Sequence, residues 1–98
     1  WFGFLMTLKE DAPFTRNGLA TFLEQRNIQT RNLFSGNLTR HPCFGSLEEG
    51  KDYRIASSLV KTDVIMNRAL WIGVYPGMNM EKLDYMAETI ISFCRNAK

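Results

Sequence analysis

Leu70-Trp71-Ile72-Gly73-Val74-Tyr75-Pro76-Gly77-Met78-Asn79 decides the fold. Leu70 to Tyr75 is a short apolar run rich in aromatic and β-branched residues, which reads as a strand. Pro76-Gly77 stops it. Asn79 then offers a side-chain oxygen to the free amides of a helix start. Behind it Leu83, Met86, Ala87, Ile90, Ile91 and Cys94 recur at helical spacing and form one apolar stripe. Glu81 in the first turn and Arg95 in the last both suit the helix dipole.

Working back from this strand–helix pair, Trp1 to Leu8 reads as a buried strand, and Lys9-Glu10-Asp11-Ala12-Pro13 turns the chain after it. Thr15 is a good N-cap for a helix running to about Arg26. Phe14 and Leu19 stand at the spacing of a hydrophobic staple, and Leu19, Phe22 and Leu23 share the inner face. Gly18 weakens that helix by roughly 1 kcal/mol relative to alanine. Asn27 is its left-handed stop. Ile28 to Phe34 is predicted as the second strand, with Ile28, Thr30, Asn32 and Phe34 on one face and Gln29, Arg31 and Leu33 on the other. After a polar loop, Gly45 to Asp52 is an exposed turn and Tyr53 to Val60 a short extended piece. Thr62 or Asp63 caps a short helix through Ala69. The order β-α-β-loop-α-β-α predicts an α+β fold, a small mixed or antiparallel sheet with helices packed on one face. The other face is left for another domain, and the aromatic first strand suits such a contact.

A length of 98 residues fits one domain. The chain opens on Trp1 inside a strand, with no initiator methionine, so we expect a fragment of a longer chain. A hydrophobic fraction of 45% argues against disorder. A formal charge of +2 announces neither nucleic acid nor membrane as partner. No apolar run is of bilayer length, and the first residues lack the pattern of a signal peptide. The two cysteines, Cys43 and Cys94, fit reduced thiols in a cytoplasmic compartment better than a disulfide framework.

The stretch Phe34-Ser35-Gly36-Asn37-Leu38-Thr39-Arg40-His41-Pro42 gathers an amide, a hydroxyl, a guanidinium and the only histidine of the chain. Loops of this kind carry function more often than cores do. His41 and Cys43 alone are too few for a zinc site. Nothing in the spacing orients a base against Cys43 or a serine, so no catalytic residue is assigned. Trp1, Phe2 and Phe4 on a strand resemble an RNA-stacking platform, but the basic flanks that it needs are missing. Arg31 and Arg40 offer planar forks matched to phosphate or carboxylate oxygens, with Asn37 and Thr39 as neutral donors. On the residues alone, a solvated arginine, or one that structures its own loop, outweighs a ligand contact.

Phe4 to Phe14, Ile28-Gln29-Thr30-Arg31, Gly36-Asn37-Leu38-Thr39-Arg40-His41-Pro42, Thr62-Asp63-Val64-Ile65-Met66-Asn67 and Trp71-Ile72-Gly73-Val74-Tyr75-Pro76-Gly77 change that balance. Together they resemble the C-terminal part of the CDP-4-keto-6-deoxyglucose 3-dehydrase family. This is a branch of the DegT-type nucleotide-sugar aminotransferases, which act in lipopolysaccharide, O-antigen and deoxysugar biosynthesis. The resemblance implies the small C-terminal domain of the fold-type I aminotransferase architecture. It implies an enzyme using PLP/PMP and a 2Fe–2S iron–sulfur cluster, both on an N-terminal domain outside this chain, with no cofactor, catalytic or metal site on residues 1–98 and no activity of the fragment alone. It further implies a homodimer, a flavin/iron–sulfur reductase partner and a bacterial cytoplasmic location. The loop Asn37 to His41 is then the stretch nearest the nucleotide sugar. Arg40 is the expected substrate contact, with Asn37, Thr39 and His41 beside it and Arg31 as a second arginine. Two departures stand out: the family pattern has glutamine at His41 and a glutamate near Gly18, where it would complete a capping box with Thr15. The alternatives are a DegT-type sugar aminotransferase domain and, from another class, a free-standing small ligand- or RNA-binding module.

Overall fold

The computed structural model describes residues 1–97. Three antiparallel strands, β1 (Gly3–Thr7), β2 (Thr30–Arg31) and β3 (Ala69–Gly73), form a sheet in the order β1-β3-β2. The helices are α1 (Arg16–Glu24), α2 (Val60–Arg68) and α3 (Met80–Asn96). Two single-turn 3-10 helices, Leu38–Arg40 and Pro42–Phe44, lie in the loop after β2. The α+β reading holds, and the sheet is antiparallel throughout the described residues.

The strand read from Leu70 to Tyr75 is the middle one, and its alternation sets the layers. Leu70 and Ile72 point to one face and are buried against Leu19 and Leu23 of α1 and Ile28. Met6, registered opposite Leu70, joins them, as do Met86, Ile90 and Phe93 of α3. The Phe93 ring meets Phe14 edge-on at 5.0 Å and lies 4.8 Å from Phe22. The starts of α1 and α3 follow the expected caps. Thr15 Oγ1 accepts from the Gly18 amide at 3.1 Å, and Asn79 Oδ1 accepts from the Lys82 amide at 3.0 Å. Asn27 takes the left-handed conformation with φ of 59°.

Four expectations need correction. The first strand is not buried: Trp1, Phe2, Phe4 and Leu5 are exposed, Leu5 on the face it shares with Trp71 and Phe4 opposite Ile72, at the end of the strand that the core cluster does not reach. Phe2 packs on Trp71 with ring centroids 4.8 Å apart, and Trp71 leans over Gly3, where any Cβ would overlap the indole. The second strand keeps only two paired residues of the expected seven. Its start is tied to α1 through Glu24, which accepts from the Thr30 amide and hydroxyl, and these bonds hold the Glu24 carboxyl below its usual range. Its end is pulled away because the Asn32 carbonyl accepts from Trp71 Nε1 and the Asn32 side chain from Arg16. In α2 the helix begins at Val60, with no side-chain cap, and Asp63 lies in the first turn rather than before it. The α3 stripe is rotated: Met86, Thr89, Ile90 and Phe93 face inward, while Ala87, Ile91 and Cys94 are exposed. Thr89 can be buried because its hydroxyl donates to the Tyr85 carbonyl one turn back at 2.6 Å.

Candidate functional site

The loop after β2 folds back on two left-handed residues, Phe34 (φ 44°) and Gly36 (φ 63°). Such dihedrals suit glycine and strain a bulky residue. Gly36 also sits against α2, so a Cβ there would come within 2.6 Å of Met66 Cγ and 3.3 Å of Met66 Cα. This approach lets the Asn37 amide donate to Met66 Sδ at 3.4 Å.

Asn37 is the centre of the loop and only 3% exposed. Its Oδ1 caps the first 3-10 turn, accepting from the Thr39 amide at 3.1 Å and the Thr39 hydroxyl at 2.7 Å. Its Nδ2 donates to Asp63 Oδ1 at 2.8 Å. Arg40 closes on the same carboxylate, with Nε donating to Oδ1 and Nη2 to Oδ2, both at 2.8 Å. His41 Nε2, in the tautomer that carries the proton there, donates to the Ser35 carbonyl and holds the loop's other end. The side chain and amide of Asn37 and the Thr39 hydroxyl are therefore spent within the loop and on α2.

Arg40 differs. Its side chain is 61% exposed, against 26% for Asp63. Asp63 takes the Nε–Nη2 edge of the guanidinium, and the three remaining N–H donors point away from the carboxylate. The loop thus holds a fixed arginine that presents a second fork outward. Arg31 is not brought to this network: it sits on β2 opposite Trp71, and its own contact is to the Thr30 carbonyl at 3.4 Å. A groove elsewhere, between the end of α1 and the start of α3, is lined by Arg26, Gln29, Tyr75, Lys82 and Tyr85 and by none of the five candidate residues.

Asp63 organises this network, and the sequence does not announce it. With Thr62 it is one of two candidate caps of a short helix, and a partner 23 residues away leaves no periodic signal. The bonds from Arg40 and then from Asn37 hold its carboxyl well below the usual 3.8, at about 2. Because the folded value is the lower one, the stabilisation is complete above pH 3.8 and is lost as pH falls towards 2. A carbon-detected titration of the Asp63 carboxyl should therefore show a midpoint near 2, with the amides of Leu38 to Arg40 moving at the same midpoint. A midpoint near 3.8 would show that the fork is not held in solution.

Neither cofactor implied by the resemblance fits these residues. Lys9, Lys51, Lys61 and Lys82 are all exposed, and none has the enclosed setting of a Schiff-base lysine. Among the described residues no buried side-chain nitrogen or oxygen lacks a partner. Cys43 and Cys94 are free and exposed, and no three His, Cys, Asp or Glu side chains gather as a metal group among the described residues. A 2Fe–2S cluster needs four protein ligands.

The sequence profile of the DegT/DnrJ/EryC1/StrS aminotransferase family matches residues 1–91. The chain is 50% identical over 93 residues to the dTDP-4-dehydro-2,6-dideoxy-D-glucose 3-dehydratase of Saccharopolyspora spinosa. It is 45% identical over 93 residues to the lipopolysaccharide biosynthesis protein RfbH of Salmonella typhimurium. It is 32% identical over 73 residues to the GDP-4-keto-6-deoxy-D-mannose 3-dehydratase of Yersinia pseudotuberculosis. These matches cover 95%, 95% and 74% of the chain but only 19%, 20% and 18% of the relatives. The chain thus spans about a fifth of the length of the curated relatives it matches. With a family profile matched over residues 1–91, the chain belongs to the DegT/DnrJ/EryC1/StrS aminotransferase family.

Proposed function

We propose that this chain is the C-terminal small domain of a nucleotide-sugar 3-dehydrase, and that the Asn37–His41 loop forms one wall of the cleft that holds the sugar nucleotide. The observation that supports this reading is the Arg40 guanidinium, fixed along one edge by Asp63 and open along the other. A planar fork of that kind is suited to two oxygens of a phosphate or to vicinal sugar oxygens. Two relatives are named as 3-dehydratases of nucleotide-linked sugars, one with dTDP and one with GDP. We take CDP-4-keto-6-deoxyglucose as the substrate here, from the resemblance of the loop and of Trp71 to Gly77.

In this reading the PLP/PMP cofactor and the 2Fe–2S cluster reside on the larger N-terminal domain, and the isolated chain is inactive. The open sheet face fits such an arrangement. Phe2 is 79% exposed and Phe34 86%, and together with Leu5 and Trp71 they leave an apolar surface for a neighbouring domain to cover. The enzyme is then a bacterial cytoplasmic homodimer served by a flavin/iron–sulfur reductase. A sugar aminotransferase is the second reading, favoured by the family profile. A lysine at the Schiff-base position of the full-length sequence would establish it, and a histidine would establish the dehydrase.

The role of the loop is tested by Arg40→Ala in the full-length enzyme. KM for CDP-4-keto-6-deoxyglucose should rise about tenfold or more, the scale of a lost charge-assisted hydrogen bond. The melting temperature should fall by only a few degrees, since Arg40 is largely exposed and solvent screens much of its pair with the half-buried Asp63. An unchanged KM with a clearly lowered melting temperature would reduce Arg40 to a loop staple.

A further inference from the structure

We propose that Asp63 is a positioning residue for substrate recognition: it holds Arg40 by one edge of the guanidinium so that the other edge faces the ligand. The proposal rests on the reading that the Asn37–His41 loop lines the sugar-nucleotide cleft. Asp63 itself touches no substrate in this scheme.

Three features carry it. First, the pair is two-pronged and side-on, Nε to Oδ1 and Nη2 to Oδ2, which fixes the plane of the guanidinium as well as its position. The edge formed by Nη1 and Nη2 is left free, and it is itself a complete fork. Second, Asp63 does two jobs with one oxygen: Oδ1 also accepts from Asn37 Nδ2, so the carboxylate registers the arginine against the buried centre of the loop. Third, Asp63 stands on α2, a regular helix that leads directly into the middle strand, so the arginine is referenced to the rigid part of the domain. Without the carboxylate, a long exposed side chain would spread over its rotamers and would have to be reordered by each ligand.

The carboxylate also bears on the class of ligand. Arg40 and Asp63 together are close to neutral, so the site gains donor geometry without a strong net positive field. That arrangement suits oxygens that need two aligned donors, such as those of a pyrophosphate diester or of adjacent sugar hydroxyls. It is less suited to capture of a free dianion by charge alone. Asparagine at 63 would keep one acceptor but turn an NH2 group towards an arginine donor, so it breaks the fork with little change of volume.

The experiment uses the full-length enzyme with CDP-4-keto-6-deoxyglucose and compares Arg40→Ala, Asp63→Asn and the double variant. Asp63→Asn alone should raise KM about tenfold, within the range of Arg40→Ala, with kcat changed less than KM. In the Arg40→Ala background it should raise KM by less than about twofold, because the group that it positions is gone. If Asp63→Asn multiplies KM equally in both backgrounds, or leaves KM unchanged where Arg40→Ala raises it, the positioning role is overturned while the loop remains a substrate wall. If Arg40→Ala leaves KM unchanged, the reading of the loop falls, and the positioning role with it. Should Asp63→Asn not fold, Arg40→Lys takes its place. A lysine ammonium cannot hold both carboxylate oxygens and still present a second fork, so its KM should match Arg40→Ala, and a wild-type KM would overturn the proposal.

Discussion

Gly36→Val should detach the loop from α2 and lower stability by about 3 kcal/mol or more. Two costs add. A β-branched residue at φ of 63° is strained wherever it sits. Its Cβ would also stand 2.6 Å from Met66 Cγ and 3.3 Å from Met66 Cα, and the second of these belongs to the α2 backbone. The side chain of Met66 can move aside, but the helix cannot without dragging β3. Relief must therefore come from the loop, which breaks the bond from the Asn37 amide to Met66 Sδ and draws Asn37 and Arg40 off Asp63. Denaturant unfolding should show the loss of stability. Hydrogen exchange should show faster exchange at the Thr39, Arg40 and His41 amides, the first bonded to Asn37 Oδ1 and the others within the 3-10 turn. Gly36→Ala carries the same Cβ and the same clash without the valine's branch, so it should cost somewhat less, about 2 kcal/mol or more. A valine variant with a wild-type midpoint and protected loop amides would show that the loop is not seated on α2.

Leu70→Ala is expected to remove about 3–5 kcal/mol. Leu70 is fully buried in the middle strand, between the neighbours that pair with β1 and β2, and it closes on Leu19, Leu23 and Ile28. A domain of this size has about 5–15 kcal/mol in all, so the variant should sit near the threshold of folding at 37 °C. Leu5→Ala supplies the contrast. Leu5 has the same chemistry on the open face, 52% exposed, and should change the unfolding free energy of the 98-residue chain by less than about 1 kcal/mol. Equal losses at the two positions would mean that the helices do not choose between the faces as described.

What could be read from the residues was local. Asn79, Thr15 and Asn27 each act within one turn of their own position, and each does so as expected. The middle strand was legible because its apolar run is bounded on the far side by Pro76-Gly77. The second strand was overextended because its limits are set from far away: Trp71 takes the Asn32 carbonyl and Arg16 takes the Asn32 side chain. The α3 stripe was rotated for a similar reason. Thr89 reads as polar, yet it is buried with its hydroxyl satisfied inside the helix, whereas Ile91 remains outside. In the candidate site, the cluster of Asn37, Thr39 and Arg40 was visible as a cluster, but its organising group was not. Asp63 becomes important only once α2 is laid beside the loop, and sequence distance conceals that contact.

The direct passage from α2 into β3 has a dynamic consequence. No connecting segment separates Arg68 from Ala69, and the Leu8 amide donates to the Arg68 carbonyl at 3.0 Å across that junction. A helix joined in this way has no slack with which to fluctuate independently of the strand. We expect α2 and the middle strand to open and close together, with the loop following them for as long as Asp63 and Met66 hold it. A ligand that engages Arg40 should then slow the opening of the centre of the sheet, and occupancy of the surface loop would be read in the exchange lifetimes of the core.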